Sequence, residues 1–108
     1  MIEEQKEFKD IFKVNDFYVL NPYLDKELLN LGFKYSVGEF HGARELSNFC
    51  VVGEYDCRIV FVRDLDREPY MYVIPFFTNH FTPIYIGNVL QKTTNELEIE
   101  IINKIKGE

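Results

Sequence analysis

From Pro69 to Gln91 the chain runs through twenty-three residues without an Asp, Glu, Lys or Arg, although those types make up 28% of the whole. The segment, PYMYVIPFFTNHFTPIYIGNVLQ, holds six of the seventeen aromatic residues and three of the four prolines. So much uncharged surface is costly to leave in water, so it must either form the middle of the core or be offered to something else. A membrane span needs about 20 predominantly apolar residues. Here Pro75 and Pro83 would each remove a helical hydrogen bond, and Asn79 and His80 would sit without partners near the bilayer centre. The segment reads as part of a soluble protein that does not engage a membrane. The amino terminus, MIEEQKEFKD, lacks the basic start and apolar run of a secretory signal, which places the chain in the cytoplasm.

At 108 residues with 46% hydrophobic content, the chain suits one compact domain, residues 1 to 108. The net charge of -6 is spread along its length with no block of like charge. Nucleic-acid affinity comes largely from Lys and Arg displacing counterions, so no nucleic-acid partner is expected.

The first thirteen residues read as a helix, with Ile2, Phe8, Ile11 and Phe12 near one face and charged residues spaced for pairing on the other. A short extended piece follows at 17–20. A second helix is expected over 22–31: Asn21 can cap it, Pro22 fits its first position, Leu24, Leu28 and Leu31 repeat at helical spacing, and Gly32 stops it, with Phe33 packing back. From Phe33 the period falls to 2, and Phe33, Tyr35 and Val37 form the apolar face of a strand. The chain breaks at 41–48. Residues 49–52 and 57–62 then form a hairpin around Gly53 and Glu54, with a charged turn at 63–68. In the strand over 69–74 both faces are apolar, so a central or doubly covered position is expected.

Two conformations stand open for 84–91, a strand or a short helix. For 93–106, Thr93 with Glu96 makes a capping box and Leu97, Ile101 and Ile105 step by four, although Leu97, Ile99 and Ile101 also alternate with glutamates. The cap selects the helix. The resulting class is α+β: two amino-terminal helices, a mainly antiparallel sheet of about four strands, and a closing helix. Leu24, Leu28, Phe33, Ile59, Phe61, Tyr72 and Ile74 are expected in the core.

Chemical motifs are scarce. A turn centred between Gly53 and Glu54 makes Cys50 and Cys57 direct cross-strand neighbours, because both pairs sum to 107. With only His41 and His80 as imidazoles, at spacings unlike any zinc ribbon or finger, two reduced, half-buried thiols are expected and no metal or other cofactor. Asp64, Asp66 and Glu68 alternate like the start of a calcium loop, but Pro69 and Pro75 stand where that loop needs Gly and Glu. Ser36 and Ser47 lie in no nucleophile motif and no phosphate-binding glycine loop exists, so no catalytic residue is assigned.

The loop over 76–83 carries three phenylalanines, a His and flanking prolines. Its bland reading is that Phe76, Phe77 and Phe81 close the core while Asn79 and His80 turn the chain. Its sharper reading is an aromatic surface of Phe76, Phe77, Asn79, His80, Phe81 and Tyr85, joined by Tyr70 and Tyr72, that binds another protein or a second copy of the chain. Size, acidity and aromatic content match the general profile of small bacterial or phage-borne binding proteins such as inhibitors and immunity proteins, an analogy of composition only. The expected role is a small cytosolic protein-binding module. The competing expectation is a small-ligand site or modest enzyme using His41, Glu39 or His80.

Overall fold

In the computed structural model, which describes residues 6–36, 44–63, 68–76 and 83–107, the chain folds as an antiparallel five-stranded meander with its helices on one side. The strands are β1 (Lys34–Ser36), β2 (Arg44–Val52), β3 (Tyr55–Arg63), β4 (Tyr70–Pro75) and β5 (Ile84–Ile86), side by side in chain order. The helices are α1 (Phe8–Phe12), α2 (Asp25–Asn30) and α3 (Thr94–Ile105), with a single 3₁₀ turn at Val89–Gln91. The class is α+β as expected, with five strands among the described residues. No helix of the described residues is long and apolar enough to cross a membrane.

The hairpin of β2 and β3 anchors the register. Gly53 occupies the first central position of a two-residue loop at φ +64°, a conformation open to glycine at no steric cost. A side chain there would also press on Ile102 of α3, 3.2 Å from an added Cβ. Every pairing follows from that turn, so Cys50 lies opposite Cys57, Leu46 opposite Phe61 and Phe49 opposite Arg58. The chain does not break through residue 48, because β2 already starts at Arg44 and its first residues pair with both β1 and β3. Strand pairing on both sides supplies what the local sequence pattern lacks.

Helix α2 is shorter than its leucine spacing suggests. The Asn21 side chain accepts the Tyr23 N–H at 3.0 Å, making a local turn that competes with helix, and Leu24 stays extended as the N-cap residue. Leu24 is therefore 52% exposed and not part of the core, whereas Leu28 is fully buried. The helix ends as expected: Gly32, at φ +95°, donates to Leu29 O at 3.1 Å, and Phe33 N–H donates to Leu28 O at 3.0 Å. Phe33 then turns into the core while Tyr35, two residues on, is 57% exposed at the sheet edge. Residues 37–43 lie outside the described part.

Helix α1 has five residues, too few to persist alone, and packing holds it. Phe8 and Phe12 lie with ring centroids 4.4 Å apart, Phe12 meets Phe33 at 5.6 Å, and Phe33 meets Phe61 edge-on at 5.3 Å. This aromatic chain ties α1 and the exit of α2 to the centre of the sheet, each contact contributing about 0.5–1.5 kcal/mol beyond area burial. Helix α3 carries the capping box read from Thr93 and Glu96 and buries Leu97 and Ile101. A polar joint holds its start: buried Thr94 donates its N–H to Tyr18 O at 2.8 Å and receives the Asn15 N–H on its hydroxyl at 3.1 Å.

Candidate functional site

Because side chains alternate along each strand, the register divides the sheet into two faces. One carries Leu46, Cys50, Val52, Cys57, Ile59, Phe61, Met71, Val73 and Ile86, all in one cluster with the buried residues of the three helices. The other carries Phe49, Val60, Val62, Tyr70, Tyr72, Ile74, Phe76 and Tyr85, and no described helix contributes to it.

This second face is the candidate site. Phe49 and Phe76 stack across β3 with centroids 5.8 Å apart and planes 24° from parallel, although 53% and 40% of their surfaces remain exposed. At its other side Tyr85 lies 6.1 Å from both Tyr70 and Tyr72 and is 60% exposed. Between these groups Val60 and Val62 are sealed from water. Charge is sparse. Arg58, opposite Phe49, donates to Ser47 Oγ at 3.4 Å; Asp56 is exposed two residues earlier on the same strand, and Lys34 stands at the β1 edge.

The expectation that the uncharged segment is either core or surface resolves residue by residue. Met71, Val73, Pro75, Ile86 and Val89 face inward and are buried. Tyr70, Tyr72 and Ile74 point the other way and are half-buried, so Tyr72 and Ile74 do not join the helix-packed core as expected. Of the predicted site residues, the structure brings Phe76 and Tyr85 onto one face; Phe77, Asn79, His80 and Phe81 lie outside the described residues, as do Glu39 and His41. Sequence reasoning missed Phe49 and Arg58. The signal was present, because 49 and 58 also sum to 107 and must oppose each other across the same hairpin.

Other clusters have structural duties. Arg63 is ion-paired with Asp25 and reaches Tyr23 O at 3.4 Å, while Tyr35 Oη donates to Asp25 Oδ2 at 2.5 Å, clamping α2 to β1 and β3. Burial lowers the Arg63 pKa from its ordinary value. Tyr18 donates to Glu27, and burial first, then that hydrogen bond, pushes the phenol up to about 12. Cys50 and Cys57 are free thiols and fully buried rather than half-buried. Burial pushes them to about 12 and about 11, which makes both poor nucleophiles. Among the described residues no group of three or more His, Cys, Asp or Glu side chains could hold a metal ion. A hollow of about 420 Å³ beside α3 is lined by Lys92, Glu96, Ile99, Glu100, Asn103 and Lys104. Its charges are engaged with one another, Lys92 Nζ lying 2.8 Å from Glu100 Oε1.

No family model matches the chain, and no solved structure matches it. Among curated proteins it is similar to tRNA pseudouridine synthase A of Dictyoglomus thermophilum, with 29% identity over 104 residues. The alignment takes in 91% of this chain and 41% of that protein, so the chain spans about two fifths of the length of the relative it matches.

Proposed function

We propose that this chain is a protein-binding module acting through the open aromatic face of its sheet, in the manner of a small inhibitor or immunity-type protein. One observation carries the reading: Phe49, Phe76 and Tyr85 are 40 to 60% exposed on the face that no described helix covers, with Tyr70 and Tyr72 beside them. Aromatic side chains and Arg with few other charges are the composition of protein interface centres. Rings held on strands also lose little conformational entropy when a partner arrives. A phosphate backbone would meet an acidic molecule, at net charge -6.

The test replaces Phe49 and Tyr85 together by Ser. Circular dichroism and the melting temperature stay close to those of the parent chain, while association with protein partners, including a second copy, is lost. A double variant that unfolds assigns these rings to the core and ends the reading.

A second reading has one specific observation in its favour, the similarity to a protein named for tRNA. Aromatic sheet faces also stack unpaired bases, at about 1–3 kcal/mol per base. Fluorescence anisotropy with labelled tRNA separates the two: saturable binding that falls steeply with salt and depends on Phe49 favours RNA, and no binding at low salt removes it.

A further inference from the structure

We infer that the occupant of the open face is a second copy of this chain, packed face to face across a twofold axis. The inference rests on the protein-binding reading above and names the partner.

Three observations point to it. The first is charge. The chain carries -6, yet the described open face presents Lys34 and Arg58 against Asp56, Glu45 being buried, so this surface is not acidic while the molecule is. Asp56 and Arg58 lie two residues apart on β3 and point to the same side. A twofold axis running in the interface plane and crossing β3 between them sets each Asp56 over the Arg58 of the other copy, twice over. Such self-matching is what an isologous interface requires. A foreign basic protein, which the overall acidity would attract, finds no acidic field on this face.

The second is area. β2 and β3 have nine residues each, β4 six, and β1 and β5 three each, so at about 3.3 Å per residue and about 4.8 Å between strands the sheet covers on the order of 480 Å² in plan. Val60 and Val62 are sealed within it, so the accessible part consists of the Phe49–Phe76 stack and the Tyr70, Tyr72 and Tyr85 rings, which suits a weak dimer below the roughly 800 Å² per partner of a standard interface.

The third is that pairing through much of the described sheet edges is obstructed. Lys104 Nζ donates to the outward carbonyl of Tyr85 on β5 at 3.0 Å, and Lys92 Nζ donates to Gly87 O at 2.8 Å. At the other side, beyond the three residues of β1, the Val51 N–H of β2 is taken by Lys6 O at 2.9 Å. Lysines and chain segments on these stretches, with only the three residues of β1 left as an edge, favour the face as the route to association.

Sedimentation equilibrium of the purified chain, across concentration and salt, tests the inference. A dimer is expected that tightens as salt rises, because salt screens the repulsion between two chains of -6 while the packed face is screened little. Arg58→Asp or Asp56→Arg alone weakens the dimer at least about tenfold, and the double exchange restores it to within about threefold. Circular dichroism of each variant separates lost association from lost fold, and the rescue would not occur if Arg58 mattered only for its bond to Ser47. A chain that stays monomeric to about 1 mM overturns the inference, as does a dimer that the exchange fails to restore. If a monomeric chain still binds another protein in a Phe49-dependent way, only the identity of the partner is wrong; if it binds none, the protein-binding reading fails too.

Discussion

On one face of the sheet Phe61, Met71, Val73 and Ile86 are sealed from water; one residue along the same strands, Tyr70, Tyr72 and Ile74 are half-buried, and Phe76 and Tyr85 are 40% and 60% exposed. Both faces are apolar by composition. They differ in shape and in their polar tips. The core face uses aliphatic chains and Phe rings that interdigitate with α1, α2 and α3, whereas the open face is rich in tyrosines whose hydroxyls tolerate water. Hydrophobicity thus identifies a strand, and the helices packed against it decide which of its sides is sealed.

The comparison breaks first in the core. Phe61→Ala removes a fully buried ring in contact with Phe33 and should cost about 3–5 kcal/mol, read from the denaturant midpoint. Leu28→Ala on α2 should lose about 2–5 kcal/mol by the same mechanism. A midpoint that does not move in either variant would mean that the faces have been exchanged.

The thiols sharpen the contrast next. Cys50 and Cys57 lie on the helix-covered face, with pKa values of about 12 and about 11 against an ordinary 9.0. At pH 8 a thiol reagent should modify the native chain about a hundredfold or more slowly than the urea-unfolded chain, since the thiolate is the reactive form. Equal rates would place the pair on the open side.

A smaller effect belongs to the helix that closes the core. Thr93→Ala should cost about 1 kcal/mol, because the hydroxyl accepts the Glu96 N–H at 3.2 Å at the start of α3. The Thr93 backbone N–H, then its hydroxyl, hold the Glu96 carboxyl below its ordinary 4.5. A carboxyl whose folded pKa is depressed stabilises the fold fully above its unfolded pKa. That contribution is lost as pH falls below 4.5 through the folded value. The stability difference between parent and Glu96→Gln should therefore shrink on acidification, a trend thermal melts across that range can refute.

Smallest of all is Phe49→Ser on the open face. With half its surface already in water, the ring should change folding stability by no more than about 0.5 kcal/mol while weakening association. A loss on the scale of Phe61→Ala would mean that the two faces are energetically alike.

Local chemistry by itself determined the hairpin at Gly53, the direct pairing of Cys50 with Cys57, the Gly32 stop with Phe33 folded back, and the Thr93–Glu96 cap that starts α3. Each is decided within a few residues by a turn conformation or a capping bond, so each is legible without the rest of the chain. Tertiary structure decided what those elements meet. Leu24 is a case of two local signals in conflict, the leucine spacing and the Asn21 turn, of which the turn prevails and leaves Leu24 outside α2. The pattern around Tyr35 could not show that its strand would be only three residues long at the sheet edge. Nor could the alternation of Tyr70 to Ile74 identify its covered side, since both faces are apolar and a period of two is satisfied either way round. Contacts from distant parts of the chain, chiefly α1 and α3 against the sheet, break that symmetry, and with it they leave Phe49, Phe76 and Tyr85 together on the other side.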